Sequence, residues 1–148
     1  ECRINNLPVG YGEPFFDSLE SVLAHLIFSI PGAKAIEFGN GIFAGSAKGS
    51  EFNDVFINEN GETKTNNSGG INAGISNGNE IVFRVYFRPR ASISKAQETF
   101  NFETKKMGEL KIQGRHDVCY ALRTPVIVES VAAIVLADFK LILSSQKL

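Results

Sequence analysis

Residues 14–32 read Pro14-Phe15-Phe16-Asp17-Ser18-Leu19-Glu20-Ser21-Val22-Leu23-Ala24-His25-Leu26-Ile27-Phe28-Ser29-Ile30-Pro31-Gly32. Phe15, Phe16, Leu19, Val22, Leu23, Leu26, Ile27 and Ile30 recur at the three-and-four spacing that lines one face of a helix. Pro14 falls near the first turn, where a missing N–H leaves nothing unsatisfied, and Pro31-Gly32 stops the pattern. A helix is therefore expected over residues 15–30. Each of its apolar side chains contributes about 1.5–3 kcal/mol if fully buried, which makes this segment a main pillar of the core. His25 falls on the polar side of the pattern and reads as structural or solvent-facing.

Strands flank this helix. Residues 2–7 alternate in the manner of a strand, and so do residues 33–38. Farther on, Ile81, Phe83, Val85 and Phe87 alternate with Val82, Arg84, Tyr86 and Arg88, a period of two in which one face packs and the other presents two arginines. Phe100 and Phe102, then Leu110 and Ile112, mark two shorter strands. After Pro125 the run 126–143 is apolar almost all round, which predicts a deeply buried helix. Glu129, Asp138 and Lys140 interrupt it, so it does not read as a membrane span. The order is strand, helix, strand, glycine-rich excursion, strands, helix. That order is α+β, with an antiparallel sheet packed against helices.

Two segments fall outside this pattern. Residues 39–78 hold nine of the 14 glycines and eight asparagines. Ordering glycine costs the most backbone entropy, so a long excursion of this kind is functional or disordered. Ile71 and Ile75 offer anchors against disorder, and the small residues let backbone N–H groups converge on an anion or a flat ring. The segment is expected to lack partners for many of its backbone donors and to be more mobile than the first helix. Gly114-Arg115-His116-Asp117, followed by Val118-Cys119, packs a cation, an imidazole and a carboxylate into consecutive positions. One reading is a solvated loop. The other is an anion site in which Arg115 forks onto phosphate or carboxylate and Asp117 orients a neighbour or moves a proton.

Composition bounds the possibilities. The length fits one domain, over residues 1–148, and 43% hydrophobic residues with 12 phenylalanines supply a core. A net charge of −1 gives no global field toward nucleic acid or membrane. Residues 84–123 nevertheless carry nine Lys/Arg against four Asp/Glu, a local basic zone suited to a small anionic ligand. Cys2 and Cys119 make no disulfide framework, and a reducing, cytoplasmic setting is the default. With His25 and His116 the only histidines, no metal-ligand cluster is visible. The chain opens directly on a strand without a methionine, which reads as a piece of a longer protein.

Six motifs in order resemble one family. Gly10-Tyr11-Gly12-Glu13-Pro14 with Phe16-Asp17, Ser29-Ile30-Pro31 with Lys34 and Glu37-Phe38-Gly39, Gly49-Ser50-Glu51-Phe52-Asn53-Asp54, Asn66-Asn67-Ser68-Gly69-Gly70-Ile71 with Gly74-Ile75-Ser76-Asn77-Gly78, Gly114-Arg115-His116-Asp117, and Pro125 and Glu129 with Val135-Leu136-Ala137-Asp138 are similar to the C-terminal part of chorismate synthases. The resemblance implies the second half of a β-α-β sandwich built from two related halves, the N-terminal half being absent. It implies an enzyme of aromatic amino-acid biosynthesis in the shikimate pathway. That enzyme eliminates phosphate from 5-enolpyruvylshikimate 3-phosphate in a 1,4-anti sense to give chorismate, requires reduced FMN, and is a homotetramer.

Residue by residue, the resemblance implies flavin contacts at Pro31 and Gly32, at Ala73, along Arg88-Pro89-Arg90-Ala91-Ser92, and at Arg115. It implies that Asp117 assists proton transfer at the flavin. The departures are specific. Arg88 stands for the family's usual lysine and changes the geometry of the cation. Ala73 stands for glycine, which is safe only where φ is not positive. Val118 stands for proline and Ser68 for alanine. The family's catalytic histidines and several phosphate-binding residues belong to its N-terminal part, so these residues alone are expected to be inactive, and His116 does not take over that role. The alternative reading is a non-catalytic module for FMN or phosphate binding, or for oligomerisation.

Overall fold

The computed structural model describes residues 1–115 and 119–145. Its centre is a three-stranded antiparallel sheet of β1 (Cys2–Ile4), β2 (Ala33–Phe38) and β5 (Ile81–Phe87), in the order β1-β5-β2. Between β2 and β5 lie the short strands β3 (Ile71–Asn72) and β4 (Ile75–Ser76), and after β5 comes a hairpin of β6 (Gln97–Asn101) and β7 (Lys106–Leu110). Helices α1 (Leu19–Phe28) and α3 (Pro125–Ser145) pack on each other and on the sheet, and a single-turn α2 (Gly49–Phe52) lies in the glycine-rich excursion. Leu19, Leu23 and Ile27 of α1, Ile81 and Phe83 of β5, and Val128, Val135 and Phe139 of α3 form one buried cluster. The architecture is the α+β arrangement read from the periods.

Three elements depart from the periodicity. The first helix starts later than Pro14 allows. Phe15–Asp17 is a 3₁₀ turn, and Phe15 has φ of 64°, outside any α-helix. Ser18 then caps α1, its hydroxyl accepting from the Ser21 N–H at 3.0 Å. Phe15 and Phe16 are consequently 87% and 92% exposed rather than core. The first strand ends at Ile4 rather than at residue 7. Helix α3 is not buried all round: Val128, Ala132, Val135 and Phe139 face the core, whereas Val126, Ile134 and Leu141 are exposed. Among the described residues α1, β1 and the 3₁₀ turn before it pack on it, and they cover one stripe. On β5 the reverse holds, because Val82 is buried despite belonging to the outward set. Beyond the end of β2 the Val82 backbone pairs with two glycines: its carbonyl accepts from the Gly39 N–H at 2.9 Å and its N–H donates to the Gly69 carbonyl at 3.1 Å. A Cβ on Gly39 would stand 2.1 Å from the Asn67 carbonyl oxygen, so this position requires a residue without one.

The β3–β4 hairpin turns on Ala73-Gly74, with φ of 51° and 84°, the signs of a type I′ turn. The position of Ala73 therefore does need a left-handed backbone. An alanine there costs about 1–2 kcal/mol relative to its preferred regions. Ala73→Gly is expected to raise stability by up to about 1 kcal/mol, after allowing for the greater chain entropy of glycine. Urea denaturation of the two proteins checks this, and an unchanged or lowered midpoint would show that the turn relaxes around alanine.

Candidate functional site

Strand β5 carries the chain to Phe87, and its pairing with β2 continues one residue farther: the Arg88 N–H donates to the Gly32 carbonyl at 2.9 Å. Pro89 then has no N–H to extend the ladder. This bond fixes the segment 88–92 beside the Pro31-Gly32 turn that leaves α1. From a third direction comes Tyr120, at the head of the 3₁₀ turn Tyr120–Arg123. Its hydroxyl donates to the Pro31 carbonyl at 3.1 Å, and its ring meets Phe87 edge-on at 6.2 Å. Pro31, Gly32, Arg88, Pro89, Arg90, Ala91, Ser92 and Tyr120 enclose a cavity of about 360 Å³. A second cavity of about 450 Å³, on the side of Ile93 and Cys119, shares Arg88, Pro89, Arg90 and Tyr120 with the first.

The electrostatics of this cavity are one-sided. Arg90 Nη1 is buried and has no hydrogen-bond partner among the described residues. Leaving a buried charged donor unsatisfied costs more than the roughly 1–3 kcal/mol of a neutral group, and an anionic oxygen is the partner its geometry favours. Arg88, exposed at the rim, adds a second guanidinium, and Ser92 adds a hydroxyl. Among the described residues no carboxylate lines either of these two cavities, in contrast to the groove of Glu20, Glu37 and Ile42 and the cleft of Glu1, Arg3 and Glu129. Arg84, the other arginine of β5, serves the fold: it pairs with Glu1 at 2.8 Å and donates to the Gly39 carbonyl at 2.7 Å.

Of the residues singled out in the sequence, Pro31, Gly32, Arg88, Pro89, Arg90, Ala91 and Ser92 share one cavity. Ala73 does not join them. The Gly74 carbonyl accepts from the Leu19 N–H at 2.8 Å, which seats that turn at the N-terminus of α1, whereas Pro31-Gly32 follows its C-terminus. About 15 Å of helix rise separates the two ends. Arg115 is exposed and lines neither cavity. Asp117, with His116 and Val118, lies outside the described residues. Tyr120 was not legible as a site residue: its only signal in the sequence is an aromatic ring close behind the charged tetrapeptide. Among the described residues no group of three or more His, Cys, Asp or Glu could hold a metal, and no helix is long and apolar enough to cross a membrane.

The glycine-rich excursion does converge its donors on an anion, but the anion is the chain's own. Asp54 Oδ1 accepts from the Asn67 N–H at 2.7 Å and the Thr65 hydroxyl at 2.8 Å, and Oδ2 accepts from the Ser68 N–H at 2.9 Å. Asn66 and Asn79 donate to the Glu80 and Gly61 carbonyls. Two backbone donors of the segment, those of Asn67 and Ser68, thus find their partner within the chain, and Asp54 is the residue that organises this part of it.

The fold and the cavity define an α+β domain whose central strand runs into an arginine-lined cavity. Comparison with known proteins is more specific. A family model described as chorismate synthase matches residues 1–141. The chain is 51% identical over 142 residues to the chorismate synthase of Chitinophaga pinensis, covering 96% of this chain and 43% of that protein. It is 47% identical over 143 residues to that of Bacteroides thetaiotaomicron, covering 95% and 40%. A crystal structure of chorismate synthase superposes with a TM-score of 0.57 at 30% identity, over 61% of this chain and 28% of that one. The chain belongs to the chorismate synthase family, and it spans about two-fifths of the length of these curated relatives.

Burial pushes the Asp54 carboxyl upward, but the N–H groups of Ser68 and Asn67 and the Thr65 hydroxyl outweigh it and leave the group below its ordinary value. A folded-state pKa below the unfolded one gives stabilisation that is full above the unfolded value, roughly 3.9, and lost as pH falls through the folded value. Asp54→Asn is therefore expected to speed amide hydrogen exchange at Asn67 and Ser68 near neutral pH. By thermal unfolding, its deficit should shrink toward zero as pH drops below the ordinary aspartate range. A deficit independent of pH would assign the loss to geometry rather than charge.

Proposed function

We propose that this chain is the C-terminal part of a chorismate synthase and supplies part of its FMN site. The intact enzyme then eliminates phosphate from 5-enolpyruvylshikimate 3-phosphate to give chorismate, as a cytoplasmic homotetramer. The observation that carries this reading is the unpartnered, buried Arg90 Nη1 in the cavity shared by Pro31, Gly32, Arg88, Ala91 and Ser92. A flavin mononucleotide bears a phosphate that two guanidiniums and a hydroxyl would hold, and a flat ring that fits against glycine, alanine and proline. The residues present fit the group.

The reaction breaks one C–O bond to phosphate and one C–H bond, and it forms a C=C bond without net redox change. When bound, reduced FMN supplies an electron-rich ring beside the reacting carbons. Arg90 and Arg88 bind and orient the cofactor's anionic end. The Pro31-Gly32 turn gives close backbone approach. Asp117, which follows Arg115 and His116 in sequence, accepts a proton. A ligand held by Arg90 reaches Ala73 only by extending along α1. Arg115 serves the same ligand or the substrate's phosphate.

The reading is tested in the full-length protein. Arg90→Ala is expected to weaken FMN binding roughly 10–100-fold, the effect of losing one charge-assisted hydrogen bond, as measured by flavin fluorescence. Asp117→Asn should lower turnover far more than it lowers flavin affinity. The 148 residues alone should not produce chorismate even with excess reduced FMN, because the acid–base histidines are absent from them. Unchanged flavin affinity in Arg90→Ala would remove the cavity from the cofactor site.

A further inference from the structure

Tyr120 is the residue on which the three walls of the cavity meet, and nothing in the family resemblance gives it a role. Its hydroxyl holds the Pro31 carbonyl at 3.1 Å. Its ring packs edge-on against Phe87, the last residue of β5, at 6.2 Å. Its Cε1 lies 3.4 Å from the point where a side chain on Gly32 would begin, with the Arg88 Cγ on the same flank at 3.9 Å. Tyr120 thus closes a circuit whose other link is the Arg88 N–H to Gly32 carbonyl bond. It lines both cavities that share Arg88 and Arg90.

The ring is itself held from the core. The turn Tyr120–Arg123 runs into α3 through Thr124, which is buried, and the Thr124 carbonyl accepts from the Val128 N–H at 2.9 Å. Val128 in turn packs into the hydrophobic cluster. On its other side Tyr120 follows Cys119, the end of the segment that carries Arg115 and Asp117. A rigid helix therefore fixes an aromatic ring, and that ring fixes the turn and the arginine segment relative to each other.

We propose that Tyr120 is a positioning residue of the anion cavity. It holds the Pro31-Gly32 turn against the Arg88–Arg90 segment. It acts through these neighbours and need not touch the ligand. The proposal rests on the FMN reading of the cavity.

The test is titration of the full-length protein and its Tyr120→Phe and Tyr120→Leu variants with FMN and, separately, with inorganic phosphate. The thermal midpoint of each ligand-free protein and the visible absorption band of bound oxidised FMN are recorded alongside. Tyr120→Phe keeps the ring and loses one neutral hydrogen bond, so FMN affinity should fall about two- to tenfold with an unchanged midpoint. Tyr120→Leu should fall further, by tenfold or more, with a shifted absorption band that the phenylalanine variant largely restores. Wild-type affinity in both variants would overturn the proposal. So would losses that simply track a lowered midpoint, since a residue needed only for stability behaves that way. If the wild-type protein binds no FMN, the flavin reading falls by itself. The phosphate titration then decides on Tyr120: a weaker affinity in Tyr120→Leu supports positioning, and an equal one contradicts it.

Discussion

The antiparallel pairing of β5 with β1 on one side and β2 on the other is the constraint on which the remaining structure depends. It makes β5 the one strand of the central sheet with both edges satisfied. It buries Ile81 and Phe83 completely against α1 and α3. It also fixes where β5 ends. Because the β2 register continues to the Arg88 N–H and the Gly32 carbonyl, the position of the arginine segment is a consequence of strand register. A slip by one residue would turn every side chain of β5 to the other face, and with it would move Arg88 and Arg90 away from the Pro31-Gly32 turn.

Two anion-related arrangements stand at different points of this scaffold, and they differ in a telling way. In the glycine-rich excursion the donors and the carboxylate both belong to the chain, so Asp54 with Asn67, Ser68 and Thr65 is internally complete. At the end of β5 the donor belongs to the chain and its partner does not, so Arg90 Nη1 is left over. A buried polar group is ordinarily satisfied. The complete arrangement serves the fold, and the incomplete one marks where an external anion is proposed to bind.

Much of the fold was legible in the sequence. The alternation over residues 81–88 located the central strand, and the spacing of Leu19, Leu23 and Ile27 located the helix that covers it. The exceptions share a physical cause: periodicity reports which face is apolar and not what covers it. Phe15 and Phe16 fit the helical spacing but precede a serine cap that starts the helix afresh. Val82 lies on the polar set of β5 yet is buried. The outer stripe of α3, with Val126, Ile134 and Leu141, is apolar too, yet it stays exposed among the described residues. The site was legible in part. The family motif pointed to Pro31, Gly32 and residues 88–92, and these do share a cavity. It pointed equally to Ala73, which the β3–β4 turn holds at the far end of α1. Tyr120 carried no motif, because its importance comes from packing between three segments distant in sequence.

The central claim is that the turn after α1, the segment after β5 and Tyr120 act as one ligand-binding unit. Amide hydrogen exchange of the full-length protein, compared with and without FMN, tests it most directly, because each segment reports separately. The account predicts slowed exchange at Gly32, at Arg90, Ala91 and Ser92, and at Tyr120 together when FMN is added. Binding of FMN with no change at residues 88–92, whatever happens elsewhere in the chain, would contradict it.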